Sequence, residues 1–239
     1  MGATKQQDEL VYVSFGRNPP EYQPGLIVML WLNSPSSEEF QTRFKGFYSL
    51  EPIMNTTRAM SYPESNSIYN EYFDYGDRKL HLSAHLKHHA TISSVKNAWK
   101  SFLDFTDPTN ESGKNFVKTS VRFDFYNKEG MRKFKKDETI YPKRDQNIYS
   151  ITMDACWKDE KDDKEVIKWL NQTRELFFDE TTKDDIRIIN GSNAPPKEDV
   201  ENFLKPKAVF GKENIEKLKE LKRKYDPTCF FNKWILIKV

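Results

Sequence analysis

Five segments of the chain have the hydrophobic pattern of β-strands. Residues 79–87 alternate strictly, so that Leu80, Leu82, Ala84 and Leu86 share one face and His81, Ser83 and His85 share the other. The other predicted strands are residues 10–15, 25–32, 117–126 and 149–157, and residues 25–32 are apolar enough for a buried strand. Residues 186–189 are a candidate for a short final strand.

Helical spacing of apolar residues marks four further segments. Residues 92–105, 164–178 and 212–225 each have an apolar stripe, and Asp226-Pro227 ends the last helix because proline cannot continue it. Ser36 and Glu39 have capping-box spacing, which predicts another helix from residue 37. The apolar side chains predicted to face inward are Phe40, Phe44 and Phe47; Val95, Ala98, Trp99 and Phe102; Val166, Trp169, Leu170 and Leu176. The apolar stripe of the last helix consists of Ile215, Leu218, Leu221 and Tyr225.

The order of these elements predicts an α+β fold. Its core is a mostly antiparallel β-sheet with helices covering one face. We find no internal repeat and no linker, so residues 1–239 are interpreted as a single domain.

Charge argues against two classes of partner. The 38 basic and 36 acidic residues leave a net charge of +2, too small a field to favour nucleic acid or an anionic membrane. The first ten residues lack the apolar core of a signal peptide, whereas Asn-X-Ser/Thr sequons occur at Asn55, Asn110, Asn171 and Asn190. The compartment therefore stays open.

The sheet face opposite the helices carries the candidate functional residues. Strand alternation places polar side chains from three predicted strands on this face. They are His81, Ser83 and His85; Arg122, Asp124 and Tyr126; Ser150, Thr152, Asp154 and Cys156.

Each of these candidates also has a structural interpretation. Asp124 beside Arg122 is as consistent with an ordinary ion pair as with a catalytic carboxylate. Cys156 could act as a nucleophile with His81 or His85 as its base, although a buried, inert cysteine is the commoner case. A metal site at His81 and His85 is not predicted, because residues four apart on a strand are separated by ~13 Å.

Two segments contain sequence motifs of a known family. One contains Phe210-Gly211, Asn214 and Leu218, and continues through Lys224-Tyr225-Asp226-Pro227 to Phe230-Phe231. The other contains Tyr141-Pro142 and Arg144-Asp145 before a strand and a helix that each carry a tryptophan. Together they resemble the berberine bridge enzyme-like FAD-linked oxidases of the vanillyl-alcohol oxidase type, and the element order resembles that family's substrate domain.

The resemblance implies a catalytic carboxylate near Asp124 on a face that looks onto the flavin ring. It also implies a separate flavin-binding domain, rich in glycine pairs, which we do not find in this sequence. The nine glycines include no adjacent pair, Asn190 is the one retained residue of the family's flavin-contacting run, and Trp234-Ile235 replaces its final Asn-Gln. We therefore expect no cofactor on this chain alone, and FAD only if a flavin domain is supplied.

These expectations lead to one leading function and three alternatives. The leading one is flavin-independent isomerisation, dehydration or cyclisation of an apolar polycyclic or conjugated small molecule. Asp124 would be the base, and Tyr126 and His85 the hydrogen-bond donors. The alternatives are half of a split FAD-dependent oxidoreductase, a truncated piece of such an oxidoreductase, and a non-catalytic ligand-binding protein. The possible protein partners are a flavin-domain chain or a second copy in a homodimer.

Overall fold

The computed structural model describes residues 8–68, 70, 75–135, 138, 149–178, 210, 212–232 and 237. Several expectations concern other residues and lie outside this part of the chain. They are the turn at 141–145, the candidate strand at 186–189, the cofactor contact at Asn190 and the replacement at Trp234-Ile235.

Five antiparallel strands form the sheet, as the hydrophobic pattern predicts. The strands are β1 (Glu9–Asn18), β2 (Gln23–Leu32), β3 (Arg78–Leu86), β4 (Ser120–Tyr126) and β5 (Tyr149–Trp157). Their spatial order is β2-β1-β4-β5-β3, so β4 and β5 lie beside each other in the interior of the sheet. The first two strands form a hairpin, whereas β3 pairs with β5 rather than with its neighbour in sequence.

Seven α-helices occur in the described residues. They are α1 (Ser37–Arg43), α2 (Lys45–Tyr48), α3 (Tyr62–Ser67), α4 (Ile92–Phe105), α5 (Glu129–Arg132), α6 (Asp163–Glu175) and α7 (Lys212–Tyr225). Two 3₁₀ turns, Gly113–Asn115 and Glu160–Asp162, precede β4 and α6. The predicted bounds of α4 and α7 are confirmed.

Helices α4 and α6 cover one face of the sheet, and the core lies between these layers. Ala98 and Phe102 of α4 are fully buried, as are Val166 of α6 and Met153 of β5. Phe105 stacks between two aromatic partners, since its ring centroid lies 4.3 Å from that of Phe116 and 4.3 Å from that of Trp169. We call this the helix-covered face.

Polar contacts fix both helices to the strands. Arg78 donates to both carboxylate oxygens of Asp163 at 2.8 and 2.6 Å, and the Trp157 indole donates to the same carboxylate at 2.8 Å. At the end of α4, Arg17 of β1 donates to Thr106 Oγ1 at 2.8 Å. These bonds set the orientation of the covering layer.

Three local predictions differ from the structure. Strand β2, which is apolar enough for a buried strand, lies at the edge of the sheet and contains no buried residue. Phe44 is not helical and separates α1 from α2, although it is buried and its ring contacts those of Phe40 and Phe47. Ser36 does cap α1, but the Glu39 carboxylate accepts from Ser34 and Arg43. A reciprocal capping box is present instead at Ser61 and Glu64.

The inward position predicted for Leu176 is wrong. Helix α6 ends at Glu175, so Leu176 falls at the C-cap, where its side chain is 36% exposed. The next apolar residue, Phe177, is the one that enters the core.

Across the described ranges, none of the helices has the length and apolar character that a membrane span requires.

Candidate functional site

The predicted site residues lie on the sheet face opposite the core, which we call the polar face. Strand register brings them together from β3, β4 and β5. Thr152 lies between Ser83 on one side and Arg122 on the other, and Ser150 lies between His85 and Asp124 in the same way. The strand prediction for 79–87, which places His81 and His85 on one face, is confirmed.

A chain of four charged or titratable groups crosses these strands. Arg122 donates from Nε to Asp124 Oδ1 at 2.9 Å, and its Nη1 lies 3.2 Å from Asp154 Oδ2. His81 Nδ1 pairs with the other oxygen of the Asp154 carboxylate. One guanidinium therefore bridges two carboxylates, which fixes both relative to the sheet.

The Asp124 carboxyl has an environment that favours its neutral form. Burial raises its pKa above the ordinary value, and the nearby Asp154 charge acts in the same direction. Arg122 opposes this shift without cancelling it. The ion pair proposed from sequence is present, and a carboxyl with a raised pKa is at the same time suited to exchange a proton with a ligand.

One pair of hydroxyl groups and one hydroxyl–imidazole pair occupy the buried part of the polar face. Ser83 Oγ and Thr152 Oγ1 are 3.3 Å apart, and Ser150 Oγ and His85 Nδ1 are also 3.3 Å apart. All four residues are buried. Their hydroxyl and imidazole groups can reorient, because each can donate or accept.

Tyr12 is a residue of this face that our sequence analysis missed. Cα register places it directly opposite Asp124, and the Arg122 guanidinium carbon lies 5.4 Å from the centre of its ring. Burial first and Asp124 second raise the pKa of its phenol, so it remains a donor at neutral pH. Alternation in residues 10–15 could have placed Tyr12 on one face with Leu10 and Ser14, but not beside Asp124.

Lys128 is a second missed residue. It follows β4, and its Nζ lies 4.7 Å from the ring centre of Tyr126. Burial lowers the pKa of this amine to about 8, with Arg132 acting in the same direction and Asp124 against it. No strand or helix pattern marks it as a site residue, because Lys128 lies in the turn beyond the alternating residues.

Cys156 does not have the environment of a nucleophile. Burial, reinforced by the Asp77 charge, raises the pKa of its thiol to about 11. Its sulfur lies 3.6 Å from Asp77, whereas the two histidines of the polar face contact Asp154 and Ser150. The described residues include no group of three or more His, Cys, Asp or Glu side chains that could hold a metal ion.

Sequence comparison gives two matches. The family described as "Berberine and berberine like" matches residues 199–233. The chain is also 24% identical over 206 residues to the FAD-linked oxidoreductase anuG of Penicillium roqueforti, and this match covers 82% of the chain and 38% of the relative.

Structure comparison extends the likeness to nearly the whole chain. Berberine bridge enzyme from Eschscholzia californica is similar with a TM-score of 0.68 at 16% identity, covering 98% of this chain and 49% of that one. The resemblance to the berberine bridge enzyme-like oxidases is confirmed. BBE-like #28 from Arabidopsis thaliana gives a TM-score of 0.65 at 15% identity, covering 99% of this chain and 52% of that one. The chain thus spans about half the length of these berberine bridge enzyme-like structures.

The described glycines give a test of whether this part of the chain could hold FAD. A pyrophosphate needs backbone that it can approach closely, which glycine allows because it has no Cβ. Among the described glycines only Gly76 has a positive φ, of 104°, and a Cβ on Gly113 would lie 2.0 Å from the Asp107 carbonyl oxygen because the chain already packs there. No two of the described glycines are adjacent, so the described residues do not supply the paired-glycine backbone that a pyrophosphate approaches, and FAD would require polypeptide outside them.

Proposed function

We propose that this chain forms the substrate-facing wall of a small-molecule oxidoreductase whose flavin is held by polypeptide outside the described residues. The observation that carries the proposal is the largely buried Asp124 carboxyl, bridged through Arg122 to Asp154 on the polar face. The FAD-linked description of the curated relative supports the reaction class. The fold shared with berberine bridge enzyme supports the architecture.

Asp124 is the proton acceptor in this proposal. Because its pKa is raised, the Asp124 carboxylate is a stronger base than an ordinary aspartate, and it can take a proton from a hydroxyl or amine of the substrate. Arg122 holds the carboxylate in place and stabilises its charged form. Tyr126 and His85 act as donors to an oxygen that gains negative charge.

The remaining polar residues bind and orient the substrate. Ser83, Ser150 and Thr152 supply hydroxyl groups at the buried part of the face, while His81 and Asp154 form its border. Fixed donors and acceptors of this kind select a substrate by the positions of its own polar groups. In this proposal, the apolar polycyclic or conjugated body of the substrate packs against aromatic side chains of the same face.

Redox-neutral chemistry is the second candidate. The poor fit of the described residues to FAD favours it, because isomerisation, dehydration or cyclisation needs an acid and a base but no electron acceptor. Asp124, Tyr126 and His85 would keep the same roles.

Ligand selection followed by turnover tests the proposal. The purified chain is incubated with a panel of hydroxylated and amine-bearing polycyclic compounds, and the compounds retained through gel filtration are identified by mass spectrometry. We expect Arg122→Ala to weaken retention about tenfold or more, because charge-assisted hydrogen bonds are lost. In Asp124→Asn, retention should change little while turnover falls about 100-fold or more. Asp104→Asn, at an exposed carboxylate of α4, is the matched control.

Turnover conditions separate the two candidates. The retained compound is converted either by the chain alone or only after a flavin domain cut from the Penicillium roqueforti relative is added. Oxygen consumption in the second case supports the oxidoreductase, and conversion without flavin supports the redox-neutral reaction. Equal turnover by wild type and Asp124→Asn contradicts both assignments of Asp124.

A further inference from the structure

The amine of Lys128 occupies an unusual position for a lysine. The residue is the N-cap of the short helix α5 immediately after β4, yet its side chain is only partly exposed. It returns over the face of Tyr126, with its Nζ 4.7 Å from the ring centre. This contact keeps the amine at the polar face and limits its freedom to extend into water.

The surroundings of Lys128 leave a larger fraction of its amine neutral near physiological pH than an ordinary lysine has. Burial lowers its pKa to about 8, and Arg132, one helical turn along, adds a like charge. Asp124 favours the protonated form but does not restore the ordinary value. Since only the neutral amine attacks carbon, Lys128 is a nucleophile at a pH where most lysines are not.

The neighbouring side chains would suit an apolar ligand. Register places Leu10 opposite Tyr126, and Trp31 opposite Leu10, so the three lie in one row across β4, β1 and β2. The indole Nε1 of Trp31 is shielded from solvent and donates to no acceptor among the described residues. A ligand in this row would contact aromatic surface and could accept one hydrogen bond.

We propose that Lys128 captures aldehydes or ketones that carry an apolar ring, forming an imine at the edge of the polar face. The amine nitrogen attacks the carbonyl carbon, a C–N bond forms, and the carbonyl oxygen leaves as water with the two protons that the nitrogen gives up. No electrons are gained or lost. Asp124, already near the amine, can carry the proton that the departing hydroxyl requires. The proposal is independent of flavin.

Lys118 provides a matched comparison at the other end of the same strand. It precedes β4, and its Nζ lies 2.6 Å from Asp77 Oδ2. This bond raises the pKa of Lys118, and its side chain is 49% exposed. Lys118 is therefore the more accessible amine but the less nucleophilic one.

Reductive trapping tests the proposal on the full chain. The protein is incubated with 2-naphthaldehyde and sodium cyanoborohydride between pH 6 and 10, digested, and mapped by mass spectrometry. At pH 8 we expect the adduct at Lys128 to form about tenfold or more faster than at Lys118, because the neutral fraction of the amine differs. The Lys128 rate should rise through pH 8 and then level off.

Two controls make the outcome specific. Lys128→Arg keeps the positive charge over Tyr126 but cannot form an imine, so the dominant adduct should disappear while the melting temperature stays unchanged. Propanal, which lacks a ring, should also modify Lys128 faster than Lys118 because of its larger neutral fraction, but by a smaller factor than 2-naphthaldehyde does. Equal labelling of Lys118 and Lys128 by 2-naphthaldehyde would overturn the proposal, and the wild-type map alone decides this even if the variant fails to fold. Because neither flavin nor turnover is measured, the result is separate from the oxidoreductase proposal.

Discussion

The two faces of the five-stranded sheet carry side chains of opposite character. On the helix-covered face, Met153 of β5 and Val121 of β4 are fully buried among apolar neighbours. On the polar face, the alternate residues of the same strands are Asp154 and Arg122, joined in an ion pair. A strand changes from one environment to the other with every residue, because its side chains alternate between the faces.

This difference indicates that the helix-covered face contributes most of the stability, whereas the polar face carries the groups suited to ligand chemistry. The helix-covered face gains stability from the burial of large apolar side chains, which is roughly proportional to area and tolerates no voids. The polar face holds charged groups whose desolvation offsets much of their mutual attraction. We therefore expect substitutions on the first face to change unfolding, and those on the second to change ligand chemistry more than stability.

The largest expected effect is in the core, where two leucines of one segment form a matched pair. Leu170 of α6 is 1% exposed, whereas Leu176 at the end of the helix is 36% exposed. Leu170→Ala should lower the free energy of unfolding by about 2–5 kcal/mol because it leaves a cavity. Leu176→Ala should lower it by about 0.5 kcal/mol or less. Urea denaturation measures both, and equal losses would show that Leu176 is packed as firmly as Leu170.

An intermediate effect is expected for the guanidinium that bridges the carboxylates of the polar face. Arg122→Ala removes the guanidinium that pairs with Asp124 and Asp154. Because both carboxylates then lose a charged hydrogen-bond partner, we expect the free energy of unfolding to fall by about 1–3 kcal/mol. Arg58→Ala removes the exposed pair with Glu64 and should leave the free energy of unfolding nearly unchanged.

A double-mutant cycle gives the coupling between Arg122 and Asp124. Combining Arg122→Ala with Asp124→Asn should reveal a coupling of about 0.5–3 kcal/mol, because the two side chains are in direct contact. Additive effects would mean that the ion pair contributes nothing, and the bridge would then lose its role in positioning Asp124.

The pH dependence of stability should reveal Asp124 itself. Its pKa is raised in the folded state, so folding is favoured while the carboxyl is protonated and this contribution is lost as the pH rises through the raised value. Asp124→Asn cannot ionise. As the pH rises above 3.8, the ordinary pKa of aspartate, the wild-type protein should lose stability relative to the Asp124→Asn variant. This difference in stability should become constant once the pH exceeds the raised pKa of Asp124 in the folded state. Thermal melts between pH 3 and 8 measure the difference, and parallel curves would contradict the raised pKa.

The smallest expected effect concerns Cys156, which shares the strand parity of the polar face but not its chemistry. With a pKa of about 11, its thiol is almost entirely protonated at pH 8. Iodoacetamide should modify it about tenfold or more slowly than an ordinary exposed cysteine, and the rate should still be rising at pH 10. Rapid modification at pH 7 would restore the nucleophile interpretation. Peptide mapping follows Cys156 separately from Cys229.

Much of the fold and part of the candidate site could be predicted from the chain itself. Alternation in residues 79–87 fixed which face His81 and His85 share, because the period of two is a property of the extended backbone. Helical spacing likewise predicted the bounds of α4 and α7. The family resemblance rests on short sequence motifs, and such motifs can be recognised without any coordinates.

Tertiary structure decided everything that depends on which strands are neighbours. The order β2-β1-β4-β5-β3 places Tyr12 opposite Asp124 and puts Asp154 within reach of Arg122. No local pattern encodes that order, because each strand could satisfy its backbone bonds with several partners. The position of Lys128 over Tyr126 and its lowered pKa also arise only from packing, since desolvation is set by surrounding atoms and not by neighbours in sequence.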